Sequence, residues 1–398
     1  MAREYDVVIV GAGMVGALTA VLTAQKGLTV ALIDKHSGRY TLSTPPAYDA
    51  RVSAISKLSQ KLLEEAGAWQ RIAQDRLAPY HKMAVWDGLG DGYVDFDTHY
   101  QQGQTLGQLV ENAVLCNALM KSVHDTRGID LYFDDSVVAQ RQVDQGVEID
   151  LASDRQLQGS VLIAADGANS QVRHQNGFET VEWDYGHHAI VTTVEIDQPH
   201  ESTAWQAFGE EGILAFLPLP SVDDKHYVSI VWSVAPDDAE QLVALEEADF
   251  CKRLTYAINR RFSALSITVP RMAIPLRQRH AKQYVQEGIA LIGDAAHTIH
   301  PLAGQGANLG FADVSALVPI LVKAHQRGEM LGSMKVLRRY QRARMLDNIA
   351  MSASMEAFKR MFMTQQPIVV QLRNMGMKLC HSSATIKRQL VAHASGIR

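Results

Sequence analysis

The strongest constraint on this chain lies at its start. Tyr5–Val10 is an apolar run that reads as a buried strand, and it leads straight into GAGMVG (Gly11, Gly13, Gly16). A helix follows to about Lys26, Gly27 ends it, and Thr29–Ile33 reads as a second apolar strand. Each glycine has a mechanical reason. Gly11 permits the tight turn, Gly13 lets backbone approach a pyrophosphate, and Gly16 lets the helix pack on the strand. The helix start, with Met14 and Val15 in its first turn, offers unpaired N–H groups to phosphates. Asp34, followed by Lys35, closes the second strand 23 residues after Gly11, where a carboxylate can accept hydrogen bonds from ribose hydroxyls. This βαβ opening specifies a doubly wound α/β sheet and a dinucleotide site. The loop alone does not separate FAD from NAD, and a tight turn without a ligand is the competing reading.

Further along, Gly128–Phe133, Ser136–Val143, Val147–Leu151 and Gly159–Ala164 read as strands. The pattern then changes. His188–Ile196, Thr203–Phe208, Gly212–Leu217 and Tyr227–Val234 follow one another without long helices, as in an antiparallel sheet. A helix over Asp237–Arg261 and a strand over Ser266–Ala273 come next, then a short buried strand at Ile289–Ile292. Helices fill the remainder. We expect a nucleotide domain in pieces (1–82, 98–183 and 276–334), a sheet-rich substrate domain (83–97 and 184–275) and a basic helical region (335–398).

The chain has 398 residues, more than one core usually serves, which favours two joined domains. Its formal charge of -5 argues against a nucleic-acid partner. Cys116, Cys251 and Cys380 lie far apart, form no metal-ligand spacing and suit a reducing cytoplasm. The N-terminus does not read as a signal peptide, and no segment is expected to be long and apolar enough to span a membrane. Charge is uneven, however. From Lys335 onward there are twelve Lys/Arg against two Asp/Glu. Leu346, Ile349, Ala353, Ala357 and Met361 recur there at helical spacing. That region is a candidate for peripheral contact with the inner face of the cytoplasmic membrane, or for docking to partner proteins, with its cations meeting lipid headgroups. A plain helical layer packed on the nucleotide domain is the alternative.

Two later segments, ADGANSQVR (Ala165–Arg173) and GDAAHTIHPLAGQGANLG (Gly293–Gly310), resemble signatures of the group A flavin monooxygenases. Together with RVSAIS, VWDG, VEN, WDYGHHAIV and EGILAFLPL, they make the chain similar to the ubiquinone-biosynthesis hydroxylases from Asp6 to about Leu390. The resemblance implies an α/β fold of the para-hydroxybenzoate hydroxylase type: a Rossmann-like FAD-binding domain, an inserted antiparallel-sheet substrate domain and a C-terminal helical region. It implies that Gly293 and Asp294 hold the ribityl chain of FAD. Gly304, Gly306, Ala307 and Asn308 would aim backbone N–H groups at the flavin pyrimidine. Asp166 and Gly167 would lie near the pyrophosphate and the path of the nicotinamide donor. Arg51 would stabilise phosphates or lie against the isoalloxazine. Asn112, beside Glu111, would face the cofactor, and Val138 would touch the adenine through its backbone.

The implied chemistry is reduction of FAD by NAD(P)H, addition of O₂ at flavin C4a, and delivery of oxygen from the hydroperoxide to an electron-rich ring. His297, His300 and Pro301 are the candidate catalytic residues at the flavin edge. The alternative is that the imidazoles only pack and hydrogen-bond. His187 and His188 read as orienting residues, and Trp205, Phe208, Phe216, Leu217 and Trp232 as core before pocket lining. The implied substrate is a polyprenylated phenol or quinol, and the implied partner a ubiquinone-biosynthesis protein complex. LRRYQRARMLDN (Leu337–Asn348) is similar to the demethoxyubiquinol hydroxylases. WDYGHHAIV, EGILAFLPL and TIHPLAG are more like the 2-polyprenylphenol hydroxylases. An FAD-dependent isoprenoid reductase and a non-catalytic FAD-bearing subunit are the readings from other classes.

Overall fold

Strand β1 (Arg3–Val10) runs through the middle of a sheet covered on both faces, so Val7, Val8 and Ile9 are fully buried. The computed structural model describes residues 3–98, 105–144, 146–298, 306–364 and 366–387. After β1 come α1 (Met14–Ala24), β2 (Val30–Asp34), β3 (Val52–Ile55), α2 (Lys57–Glu65) and β4 (Ala78–Tyr80). Then follow β5 (Lys82–Asp87), β6 (Tyr93–Asp97), β7 (Gly107–Glu111), α3 (Asn112–Asp125) and β8 (Ile129–Phe133). Next are β9 (Val137–Val143), β10 (Gly146–Leu151), β11 (Gln156–Ala164), α4 (Gln171–Gln175), β12 (Thr180–Ile196) and β13 (Thr203–Gly209). The chain goes on through β14 (Gly212–Pro218), β15 (His226–Val234), α5 (Pro236–Ala244), α6 (Glu247–Ala257), β16 (Ala264–Ile267) and β17 (Met272–Ala281). It closes with β18 (Val285–Gln286), β19 (Ile289–Leu291), β20 (His297–Thr298), α7 (Gly306–Gln326), α8 (Met334–Met363) and α9 (Pro367–Ser382).

The first sheet has the order β18-β19-β11-β1-β2-β8, with β10 and β9 attached beside β11. Its four central pairings are parallel, as βαβ crossovers require. The second has the order β20-β17-β12-β15-β14-β13-β5-β6, with β16 on β12, and is mostly antiparallel. A three-stranded sheet, β3-β7-β4, stands beside them. Trp205, Phe216 and Trp232 lie in the core of the second sheet, packed with Phe250 and Leu254 of α6. Phe208 and Leu217 are buried in smaller clusters, so all five aromatic or apolar candidates are core residues.

Three expectations are corrected. The single helix over Asp237–Arg261 is two helices, because Leu245 and Glu246 are extended. The Arg271 guanidinium donates to the carbonyls of Leu242 and Leu245, at 2.9 and 2.6 Å, and satisfies them at the break. The strand over Ser266–Ala273 is the end of β16 and the start of β17, separated by a segment with Pro270, which has no N–H to donate. The third concerns membrane spans: α7 does have the length and composition of a spanning helix. It packs in the nucleotide-domain core through Phe311, Val314, Leu317 and Leu321, and carries the buried Asp313.

The basic region also differs from expectation. On α8, Val336, Leu337, Tyr340, Arg344 and Asn348 face inward. The predicted stripe of Leu346, Ile349, Ala353, Ala357 and Met361 is on the solvent side. Many of the cations are occupied by protein. Arg373 donates to both oxygens of Asp87, at 2.5 and 2.7 Å, with neither side chain exposed. Lys378 of α9 pairs with Asp91, and Lys387, beyond the end of α9, pairs with Asp95, so α9 and the residues after it grip the β5–β6 hairpin. Arg339 pairs with Glu329.

Candidate active site

The glycine loop divides its labour. A Cβ on Gly11 would meet the Ala165 carbonyl at 2.3 Å, and one on Gly16 would sit 1.8 Å from the Gly11 carbonyl. Gly11 also holds φ +101°. Gly13, the N-cap of α1, has nothing within 4 Å of a built Cβ. The protein itself requires Gly11 and Gly16, whereas Gly13 borders open space at a helix N-terminus, with Met14 and Val15 half-buried behind it. Asp34 closes over the loop. Its carboxylate accepts from Ala12 N at 2.5 Å and from His36 N at 2.8 Å, and Lys35 beside it is exposed.

Arg51 is exposed on a firmly anchored backbone. Glu111 is buried, accepts from Asp49 N at 2.6 Å and takes the Arg76 guanidinium at 2.7 Å. Asp49 accepts in turn from Arg51 N and Ala113 N. The Arg51 carbonyl accepts from Asn112 N at 2.9 Å, and the Asn112 side chain accepts from the Ser53 hydroxyl at 2.7 Å. Asn112 and Glu111 thus hold the Arg51 segment against α3. Val138, at the start of β9, is 58 % exposed. It lies close after Asp135, whose N–H bonds the Asp34 carbonyl.

The two later motifs meet each other and the glycine loop. Gly310 packs so closely that a Cβ there would lie 2.5 Å from the Val15 side chain, and Gly293 touches Val15 as well. Arg173, buried, donates to the carbonyls of Ala295 at 2.9 Å and Ala168 at 2.8 Å, tying the DG segment to the GD turn. Burial lowers its pKa, and Arg279 adds to the effect. Asp166 accepts through one oxygen from Gln171 N and Val172 N. Its other oxygen is buried with no partner among the described residues. Gly167 holds φ +82°.

Asp294 is solvent-exposed between buried Gly293 and Ala295, and surrounding protein mass raises its carboxyl pKa by desolvation. Gly306, Ala307 and Asn308 form the first turn of α7. The Asn308 side chain is fully engaged: it accepts from Ser56 N at 3.0 Å and the Ser59 hydroxyl at 2.7 Å, and donates to the Ala54 carbonyl at 2.7 Å. Only its backbone N–H remains for a ligand. His297 is 3 % exposed, with Nε2 2.6 Å from Asp313, a geometry that fits the packing reading of this imidazole. His300, Pro301 and Gly304 lie outside the described residues. His187 and His188 lie on β12, which starts at Thr180, earlier than the sequence suggested. Sequence reasoning missed Asp313, Arg344 and Asn348, because a charged residue inside an apolar helix pattern looks like one solvated position.

A family profile described as "FAD binding domain" matches residues 4–352. The chain belongs to the FAD-binding monooxygenases. Within them it falls among the ubiquinone-biosynthesis hydroxylases. It is 37 % identical to the 3-demethoxyubiquinol 3-hydroxylase of Escherichia coli, over 99 % of both chains. It is 34 % identical to the mitochondrial ubiquinone biosynthesis monooxygenase COQ6 of Xenopus tropicalis, over 98 % of this chain and 93 % of that one. With the ubiquinone hydroxylase UbiL of Rhodospirillum rubrum it shares 32 %, over 99 % and 90 %. The fold matches p-nitrophenol 4-monooxygenase PnpA from Pseudomonas putida (TM-score 0.79, 19 % identity, covering 100 % of this chain and 99 % of that one). It also matches PqsL from Pseudomonas aeruginosa (TM-score 0.77, 20 % identity, covering 94 % and 100 %). The enzyme is therefore an FAD-dependent monooxygenase, and the isoprenoid-reductase and scaffold readings lose their support. The residues fit FAD: open space at Gly13, an unpartnered buried Asp166 oxygen and an exposed carboxylate at Asp294 are what a dinucleotide with a ribityl arm would engage.

Proposed function

We propose that this enzyme hydroxylates the ring of a polyprenylated quinol in ubiquinone biosynthesis, with 3-demethoxyubiquinol as its substrate. The observation that carries this reading is the 37 % identity to a 3-demethoxyubiquinol 3-hydroxylase over 99 % of both chains. A second reading, 2-polyprenylphenol hydroxylation, is favoured by the segments WDYGHHAIV, EGILAFLPL and TIHPLAG.

FAD, when bound, supplies reductive activation of O₂ for transfer to an electron-rich ring, with NAD(P)H as the electron donor. The protein's part is binding, orientation and exclusion of water. The α1 N-terminus and Gly13 would take the diphosphate and Asp34 the ribose hydroxyls, and Arg51 would add a cation from its anchored segment just before β3. Asp294 would hold the ribityl arm, and the α7 N-terminus would offer its N–H groups to the pyrimidine, supplying positive partial charge for an anionic reduced ring. The substrate's own hydroxyl activates the ring, so the reading asks for no nucleophile from the protein.

The peripheral membrane contact rests on α9, whose residues Ile368, Leu372, Met375 and Leu379 form a ridge 62–73 % exposed. From Ala357 to Arg398 the sequence has no Asp or Glu. A lipid surface suits an apolar ridge on a segment without acids; a partner protein of the pathway is the other occupant.

Product analysis tests the reading. FAD-loaded enzyme, NAD(P)H and air are given prenylated 3-demethoxyubiquinol or 2-polyprenylphenol. Oxygen insertion into the first alone supports the proposal, insertion into the second alone supports the alternative, and turnover of neither rejects both.

A further inference from the structure

Beneath the GD turn lies a polar cluster that the binding steps above do not use. Asp313 of α7 is wholly buried. Its Oδ2 accepts from Gly293 N at 2.9 Å and lies 2.6 Å from His297 Nε2. Its Oδ1 accepts from Arg344 Nε at 2.9 Å and Asn348 Nδ2 at 3.4 Å. Arg344 also donates to the Asn348 side-chain oxygen Oδ1 at 2.7 Å, and Asn348 Nδ2 donates to the Tyr284 hydroxyl at 3.2 Å. One carboxylate therefore has an oxygen on the cofactor turn and an oxygen on the C-terminal helix α8. Burial opposes its ionisation, but His297 and Arg344 outweigh this and hold its pKa below the ordinary value.

Stability alone is a weak reason for such a cluster, since apolar side chains of similar volume often serve a core as well as a buried ion pair. Orientation is a better one. Gly293 holds φ +59°, a conformation that sets the direction of the next side chain, and its N–H is fixed by Asp313. The next side chain is Asp294. His297 fixes the other end of the same turn, before the segment that leads to α7.

We propose that Asp313 is a positioning residue for the flavin site and that Arg344 and Asn348 set its orientation, so that α8 is a working part of the cofactor-binding apparatus. The inference rests on FAD binding and not on which ring is hydroxylated, so failure of the substrate reading leaves it intact.

A matched pair of variants tests it. Arg344→Gln breaks the Asp313 pair, and Arg373→Gln breaks another buried pair, with Asp87, at the second sheet. Both variants should lower the melting temperature of the FAD-free protein. Only Arg344→Gln should weaken FAD binding, by about tenfold or more in a fluorescence titration, and move the flavin midpoint potential. Arg344→Lys, which restores a cation beside Asp313, should recover part of the affinity. The proposal is overturned if Arg344→Gln keeps FAD affinity within about twofold of the parent, or if Arg373→Gln weakens it equally. Should Arg344→Gln not fold, Asn348→Ala, which leaves both charges in place, is judged by the same two criteria.

Discussion

Asn308 and Ser59 lie 249 residues apart in sequence, yet the Ser59 hydroxyl donates to the Asn308 side-chain oxygen at 2.7 Å. With the bonds to Ser56 N and the Ala54 carbonyl, this pins the first turn of α7 to the start of α2. Asn308→Ala strands these partners and should cost roughly 2–4 kcal/mol, since each unsatisfied buried group costs about 1–3 kcal/mol. Urea unfolding of the FAD-free protein measures the loss. An unchanged midpoint would show that the pin contributes nothing to stability.

Gly13 and Gly16 should separate folding from cofactor binding. Gly16→Ala forces a methyl group into the Gly11 carbonyl and should destabilise the FAD-free protein by about 1–3 kcal/mol or more. Gly13→Ala meets no protein atom, so its FAD-free melting temperature should match the parent while FAD affinity falls. Retention of full affinity in Gly13→Ala would place the diphosphate elsewhere.

His200 gives stability a pH dependence. Its Nδ1 accepts from Ser202 N at 3.1 Å and its Nε2 lies 2.9 Å from the Leu219 carbonyl, which fits a neutral ring with the proton on Nε2. Burial lowers its pKa; the Leu219 carbonyl opposes that shift and His226 reinforces it. His280 is lowered as well, by burial first and His297 second. As pH falls below about 6.5 the unfolded chain takes up protons before the folded one does, so stability drops, and the drop continues through the folded-state pKa values. Melting temperatures between about pH 7 and about pH 5 should fall in the parent and fall less in His200→Asn. Parallel curves would remove His200 from the account.

The α9 ridge should matter for lipid and not for folding. Replacing Leu372 and Met375 with Gln should leave the melting temperature unchanged, because both side chains are exposed. Flotation with vesicles containing anionic lipid should decline strongly. Undiminished flotation would refute the ridge as the contact.

Local patterns made the nucleotide half legible. The glycine loop, Asp34 and the parallel strands carry their periodicity and turn chemistry within a few dozen residues, and they stand where those signals put them. The break between α5 and α6 was not legible, because the groups that satisfy it belong to Arg271, far along the chain. Arg344 and Arg373 looked like part of a cationic surface. Only tertiary structure shows that their carboxylate partners, Asp313 and Asp87, come from remote elements. Asn308 was read only for its backbone N–H; that its side chain binds Ser56, Ser59 and Ala54 was not legible, because sequence gives the position of a helix start but not the direction of its first side chains.

The grip of Arg373 on Asp87 also has a history in time. The β5–β6 hairpin is synthesised first, and the guanidinium that neutralises its buried carboxylate follows 286 residues later. At about 5–20 residues per second, that interval is roughly 15–60 s on the ribosome. Until then the hairpin's carboxylate lacks the cation that lets it be buried, so a C-terminal helix completes one of the early-made pieces of the molecule.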